Sequence, residues 1–320
     1  MIARDEERDL PRCLASLDCD ELIVVDTGSR DRTVAIAREA GARVIEIEWP
    51  RDFAAARNVS LDAATGDWIL VLDADEELPA ETRAQLRAEV AQADQLGLAG
   101  VSLLQRNLSP PGEVTTYQDL PIVRLFRRAS HVRYEGKIHE QVSPSIVRAG
   151  GALGASDQWF LHHGYARTTA QGTNRAQRNL ALLVEAVREA PDDAYLHYQL
   201  GATQKAVGDP AAAASLERAL FVPAGARGAL SPSAEADARM KLAQLAAARG
   251  DDQAALAEAR RCLAIDPQNA IALQLQIVTA IGLSQLAEAA GACRSLLGCA
   301  NVAGATRADA EQLLHALTAR

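Results

Sequence analysis

Trp68-Ile69-Leu70-Val71-Leu72-Asp73-Ala74-Asp75-Glu76-Glu77 runs five apolar residues straight into four carboxylates within five positions. The apolar run follows the turn signal Thr65-Gly66-Asp67 and is rich in strand formers, so it reads as a buried strand. Such a strand delivers Asp73 and Asp75 at its carboxyl end, where open α/β sheets place their ligands. Two carboxylates flanking a small residue, Ala74, can face a common point once the strand breaks into a turn. That is a hard-oxygen site for Mg²⁺ or Mn²⁺, ions that also accept diphosphate oxygens. The competing account is a plain strand end followed by the acidic N-terminus of a helix near Pro79–Ala91. The decapeptide alone leaves both open.

Outward from this stretch the first half alternates. Helical spacing covers Glu7–Leu17, with Leu10, Leu14 and Leu17 on one face, then Arg32–Ala40 closed by Gly41, then Ala54–Ala63. Strand signals cover Glu21–Asp26, Val44–Ile47 and Trp68–Leu72, with further strands expected at Gly100–Gln105, Ile122–Phe126 and Trp159–His163. The alternation predicts an α/β domain with a mostly parallel sheet and helices on both faces. Only Met1 and Ile2 stand where such a fold usually has its opening strand, so the expected start lies upstream of Met1.

Near Thr168 the composition shifts to Ala, Leu, Glu and Arg without strand signals, which divides the chain into 1–167 and 168–320. Two segments of the second part resemble each other. Ala194–Pro223 carries Tyr198, Leu200, Gly201, Gly208-Asp209-Pro210, Ala213, Ala219 and Leu220; Ala236–Pro267 carries Leu242, Ala243, Gly250-Asp251-Asp252, Ala255, Ala259 and Leu263. In each, a helix of apolar and small residues leads through a Gly-Asp turn to a second helix. A weaker copy spans about Ala272–Leu297, and the loop Ala224–Ser233 interrupts the period between the first two. The pattern resembles tetratricopeptide repeats, which stack into a surface that binds other chains. A helical cap that stabilises the first domain or a dimer fits the same pattern.

A chain of 320 residues is long enough for two domains with cores of their own. Its net charge of −9 argues against nucleic acid or an anionic membrane surface as main partner. No apolar run approaches the roughly 18 to 20 residues of a transmembrane helix. The charged start Arg4-Asp5-Glu6-Glu7-Arg8 is unlike a signal peptide. Cys13, Cys19, Cys262, Cys293 and Cys299 are odd in number and lack metal spacing, as expected of buried thiols in a cytosolic protein.

Several blocks together resemble the family 2 glycosyltransferases of the GT-A fold, in the bacterial branch with C-terminal tetratricopeptide repeats. They are Val24-Val25-Asp26-Thr27-Gly28-Ser29-Arg30-Asp31-Arg32-Thr33, Asp52-Phe53-Ala54-Ala55-Ala56-Arg57-Asn58, Gly66 through Glu77, Val123–Arg127, and Tyr134-Glu135-Gly136-Lys137-Ile138-His139-Glu140-Gln141-Val142. His163-Gly164-Tyr165, Arg178-Asn179-Leu180 and Pro191-Asp192-Asp193 match the branch's transition into the repeats. The resemblance implies a Rossmann-like mixed sheet, a UDP-sugar donor, a divalent cation and inverting hexosyl transfer. It assigns the donor to Asp26, Thr27, Gly28, Ser29, Arg57, Asp73, Ala74 and Asp75, and the cation to Asp75 with Asp73 and His139.

Asp26 suits the uracil or ribose, as its counterpart does in the family, and it equally suits capping the following helix through the Asp26/Ser29/Asp31 cluster. Arg57 offers a fork of donors to a phosphate, or a surface ion pair. Inversion needs a base on the far side of the anomeric carbon. Glu140 fits that role, with His139 as its partner or as a cation ligand, and the sequence does not divide these jobs. His162-His163 is a weaker candidate for cation or diphosphate contact, and Glu76 and Glu77 are candidates for holding the loop or touching the sugar. The helical repeats suggest a peptide or protein acceptor or partner, while a surface-glycan precursor stays open. The rival reading is an interaction scaffold whose transferase domain has degenerated.

Overall fold

In the computed structural model the described residues are 1–107, 119–163, 169–221, 229–299, 302 and 304–318. They fall into two compact units, Met1–Gly172 and Thr173–Arg320.

The first unit opens with three parallel strands, β1 (Ile2–Ala3), β2 (Ile23–Asp26) and β3 (Arg43–Glu46), in spatial order 1-2-3. All four residues of β2 are buried, as its continuous Ile-Val-Val-Asp run requires. Helix α1 (Leu10–Ala15) buries Leu10, Cys13 and Leu14, and α2 (Thr33–Glu39) buries Thr33 and Ala37. Gly41 follows α2 with φ +82°, the left-handed stop that glycine takes without penalty. Helix α3 (Phe53–Ala63) is capped by Asp52, whose carboxylate accepts from Ala55 N at 2.8 Å.

Strand β4 (Trp68–Leu70) is shorter and more exposed than the sequence suggests, because it stands first in the five-stranded order β4-β7-β6-β8-β5. Val71 and Leu72, each 3 % exposed, bury the rest of the run beyond it. β5 (Glu76–Glu77) follows, then helix α4 (Ala80–Gln95), β6 (Leu98–Asn107), β7 (Asp119–Arg127), α5 (Ser143–Arg148) and β8 (Ala152–His162). The expectation of a mostly parallel sheet is corrected here. In this second sheet β4–β7, β5–β8 and β6–β7 are antiparallel, and among its described pairs only β6–β8 is parallel. Parallel pairing needs a crossover element; β6 and β7 follow each other with no described helix between them and pair as neighbours. Phe126 and Phe160, both fully buried, anchor separate clusters of the core.

The second unit is helical. After α6 (Thr169–Glu189) come α7 (Ala194–Ala206) with α8 (Ala212–Phe221), α9 (Pro232–Ala248) with α10 (Asp252–Ile265), α11 (Ala270–Gly282) with α12 (Leu286–Gly298), and α13 (Gly304–Thr318). Gly208 and Gly250, at φ +74° and +76°, end the first helix of the first two pairs; Asp251 then caps the next, accepting from Ala254 N at 3.0 Å. In the third pair Ser284 takes the positive φ and Gln285 makes no side-chain cap, which is why that copy is faint in the sequence. Close approach explains the small residues: a Cβ on Gly201 would stand 2.7 Å from Leu216 Cγ. Pro223 and residues 224–228 of the loop 224–233 lie outside the described residues. No described helix is long and apolar enough to cross a membrane.

Candidate active site

The chain leaves β4 beside β7, where Val71 N donates to Arg124 O at 2.9 Å. Two residues on it reaches Asp73, whose carboxylate is held by two guanidiniums. Arg57 Nη2 of α3 donates to Oδ1 at 2.6 Å, and Arg124 Nη2 of β7 donates to Oδ2 at 3.1 Å. The same Arg124 nitrogen donates to Glu76 Oε1 at 2.6 Å, while Asp73 N donates to Glu76 Oε2 at 2.8 Å. Burial pushes both carboxyls up, but the two arginines more than offset this at Asp73 and hold it well below the usual range. Glu76 is pushed up to about 8 by burial, against the pull of Arg124 and with the Asp73 charge beside it.

Arg57 also reaches Glu140, its Nε donating to Oε1. Glu140 sits in a loop whose ends are pinned by reciprocal bonds between Glu135 and Gln141, 3.0 Å each way, and which turns through Gly136 (φ +98°) and His139 (φ +54°). Asn58, next to Arg57, clamps this segment by accepting from Tyr134 N at 2.9 Å and donating to Tyr134 O at 3.0 Å. The Arg57 guanidinium lies 5.4 Å from the Tyr134 ring centroid. Thus the blocks containing Arg57, Asp73 and Glu140 meet at one buried cluster. Arg57 is no surface ion pair: it is 6 % exposed. Arg57 Nη1, Arg124 Nε and the Tyr134 hydroxyl are buried there without a hydrogen-bond partner among the described residues.

Asp75 is 6 % exposed, and its Oδ2 lies 3.7 Å from His162 Nε2. His163 N donates to Asp75 O at 2.9 Å, and His163 Nε2 meets Glu77 Oε2 at 2.9 Å, so the end of β8 is tied to the acidic loop at both histidines. Among the described residues no three His, Cys, Asp or Glu side chains gather as a metal cage, so Asp73, Asp75 and His139 do not form one. His139 is exposed beside Glu140, and the imidazole facing Asp75 is that of His162. Ala74 is buried between the two aspartates.

Asp26 ends β2 with its carboxylate turned onto its own loop: Gly28 N and Ser29 N donate to Oδ2 at 3.0 Å each, and Ser29 Oγ bonds Oδ1. Thr27 N and Oγ1 both bond Ala3 O. Gly28 has φ +98°.

The sequence reading missed Arg124 as a site residue. Its signal was present: a lone arginine within Ile122-Val123-Arg124-Leu125-Phe126 falls in an apolar strand and must find carboxylates. Asn107, against His162, gave no comparable signal.

Residues 1–148 match the family model described as glycosyl transferase family 2. This part of the chain is a family 2 glycosyltransferase domain. It has the mixed α/β architecture of the GT-A fold, and tetratricopeptide-like helical pairs follow it. A TPR repeat-containing protein of Synechococcus elongatus is 43 % identical over 225 residues, 67 % of this chain and 53 % of that protein. The SPbeta prophage-derived glycosyltransferase SunS of Bacillus subtilis is 29 % identical over 204 residues, 60 % of this chain and 45 % of that one. The lipopolysaccharide core biosynthesis glycosyltransferase LpsC of Rhizobium meliloti is 27 % identical over 158 residues, covering 45 % and 56 %. The chain spans about half the length of the curated relatives it matches.

Proposed function

We propose that the glycosyltransferase domain transfers a hexose from a UDP-sugar, with inversion and with a divalent cation, to a peptide, protein or glycan-precursor acceptor. The observation that carries this reading is Arg57, which binds Asp73 of the acidic loop and Glu140 through one guanidinium. The leaving diphosphate and the attacking hydroxyl need opposite kinds of help at the same carbon, and these two carboxylates sit at one arginine.

Asp75 and His162 supply an oxygen and a nitrogen donor, a pair that suits Mg²⁺ or Mn²⁺ when diphosphate oxygens and water complete the sphere. A cation held mostly by its substrate needs no protein cage of three side chains. When bound, it offsets charge on the departing diphosphate. Asp73 is fixed by its arginines and orients the loop that carries Asp75. Glu140 spends Oε1 on Arg57 and takes the acceptor proton on Oε2. Asp26 holds the Thr27-Gly28-Ser29 turn in the shape that receives the nucleoside. The reading places this transfer in the cytosol, where nucleotide-sugar donors are made available to a protein of net charge −9.

The test is UDP release from a panel of UDP-sugars in Mn²⁺ or EDTA, for wild type and Asp75→Ala. Transfer to water makes an acceptor unnecessary. Metal-dependent turnover of one sugar, lost in Asp75→Ala, is the expected result. If the full chain neither releases nor binds UDP, the reading fails. The rival scaffold role, favoured by the TPR-based name of the cyanobacterial relative, then takes its place.

A further inference from the structure

Asn107 and His162 are register partners on the parallel strands β6 and β8. Two donors converge on Asn107 Oδ1: His162 Nδ1 at 2.8 Å and Gln105 Nε2 at 3.2 Å. Gln105 and Asn107 are two residues apart on β6, hence on one face of the sheet. An amide oxygen only accepts, so His162 Nδ1 carries a proton, and in the neutral imidazole the lone pair falls on Nε2. Nε2 is the atom 3.7 Å from Asp75 Oδ2, a separation longer than a hydrogen bond. The backbone fixes the same geometry from the other side, since His162 pairs with Glu76 on β5 and His163 N holds Asp75 O.

We propose that Asn107 is a positioning residue: its amide oxygen, itself steadied by Gln105, sets the tautomer and ring orientation of His162 so that Nε2 and Asp75 together face a divalent cation. A ring nitrogen that ligates a metal generally has its other N–H anchored in this way, and removing the anchor weakens the metal without touching a ligand. The inference rests on the cation reading of Asp75 and His162 given above.

The experiment measures Mn²⁺ binding to the full chain in the presence of UDP, by electron paramagnetic resonance of the free ion. Wild type is compared with Asn107→Leu, Asn107→Asp, Asp75→Ala and His162→Ala, each first shown to unfold cooperatively. Asn107→Leu is expected to bind Mn²⁺ about 10–100-fold more weakly. Asn107→Asp, which keeps an acceptor for Nδ1–H, retains wild-type binding. In the metal-free protein, ¹⁵N imidazole spectra show His162 as the Nδ1–H tautomer in wild type and Asn107→Asp, and as a mixture in Asn107→Leu. If Asn107→Leu does not fold, Asn107→Ser withdraws the same oxygen without apolar bulk and carries the same expectation. Unchanged tautomer and affinity without Asn107, with binding still lost in Asp75→Ala and His162→Ala, overturns the role of Asn107 and leaves the cation reading standing. Full Mn²⁺ binding in both ligand variants overturns the cation reading and this inference with it.

Discussion

Arg124 donates to Glu76 at 2.6 Å, and the two side chains are almost wholly withdrawn from water, at 7 % and 1 % exposure. The same Arg124 nitrogen serves Asp73, so one cation answers for two carboxylates. Replacing it by a chain of similar length without charge, Arg124→Met, strands Glu76 and leaves Asp73 on Arg57 alone. Leaving a buried acceptor without its donor costs about 1–3 kcal/mol, more where it is charged. Urea unfolding of the variant measures this, and a loss below about 1 kcal/mol, the scale of a surface ion pair, would refute the assignment.

Because the folded pKa of Glu76, about 8, lies above its ordinary 4.5, the folded protein binds the extra proton across that interval. The stability contributed is therefore present below 4.5 and lost as pH rises through 8. Asp73 acts oppositely: its lowered pKa contributes stability above 3.8 that is lost as the solution turns more acid. Urea midpoints measured at steps from about pH 5 to pH 8 should fall with pH, and Glu76→Gln, which removes the titrating group and keeps one acceptor oxygen, should flatten that slope. A slope unaltered by Glu76→Gln would show that Glu76 does not titrate there.

Much of this was legible in the chain itself, for reasons that differ by element. Val24 and Val25 sit in a run of buried β-formers, and Gly208-Asp209 and Gly250-Asp251 spell helix stop and helix start, so the elements carrying them were readable from local chemistry. Sheet direction was not, because periodicity sees strands and not partners: the link between β6 and β7 contains no helical signal, and that absence should have forecast an antiparallel pair. At the candidate site, Asp73, Arg57 and Glu140 stand out by type and spacing, yet the bridge that Arg57 makes between the two carboxylates does not, since Arg57 lies 83 residues from Glu140. Which imidazole faces Asp75 was hidden for a related cause. His139 is nearer Glu140 in sequence, but strand register delivers His162 to Asp75.

Glu140→Gln tests the proposed base. Glutamine keeps an oxygen for Arg57 Nε and the volume of the side chain, so the loop pinned by Glu135 and Gln141 stays closed. The expected outcome is a fall in kcat of about 10²–10⁴ with the donor KM nearly unchanged, read from initial rates of UDP release. A matching loss in donor affinity would move Glu140 from base to donor contact.

Gly201→Ala sets two effects of opposite sign against each other. Alanine at a mid-helix glycine gains up to about 1 kcal/mol from propensity. Its Cβ, however, would stand 2.7 Å from Leu216 Cγ and 2.9 Å from Leu216 N, and the backbone nitrogen cannot swing aside. Overpacking of this kind costs about 1–3 kcal/mol, so the variant should be destabilised. Thermal unfolding followed by helical circular dichroism checks the sign.

Asp26 distinguishes a loop cap from a nucleoside contact, since its carboxylate accepts from Gly28 N, Ser29 N and Ser29 Oγ while only 3 % exposed. Asp26→Ala leaves two backbone N–H groups without their acceptor, and a buried donor so abandoned costs about 1–3 kcal/mol. The loss should therefore be visible in urea unfolding with no nucleotide present, and UDP affinity should fall as well because the Thr27-Gly28-Ser29 turn loosens. A carboxylate acting on the nucleoside alone would behave differently. Its removal would leave the nucleotide-free protein as stable as wild type and lower only the added stability that saturating UDP confers. Measuring both quantities on the one variant decides between the roles.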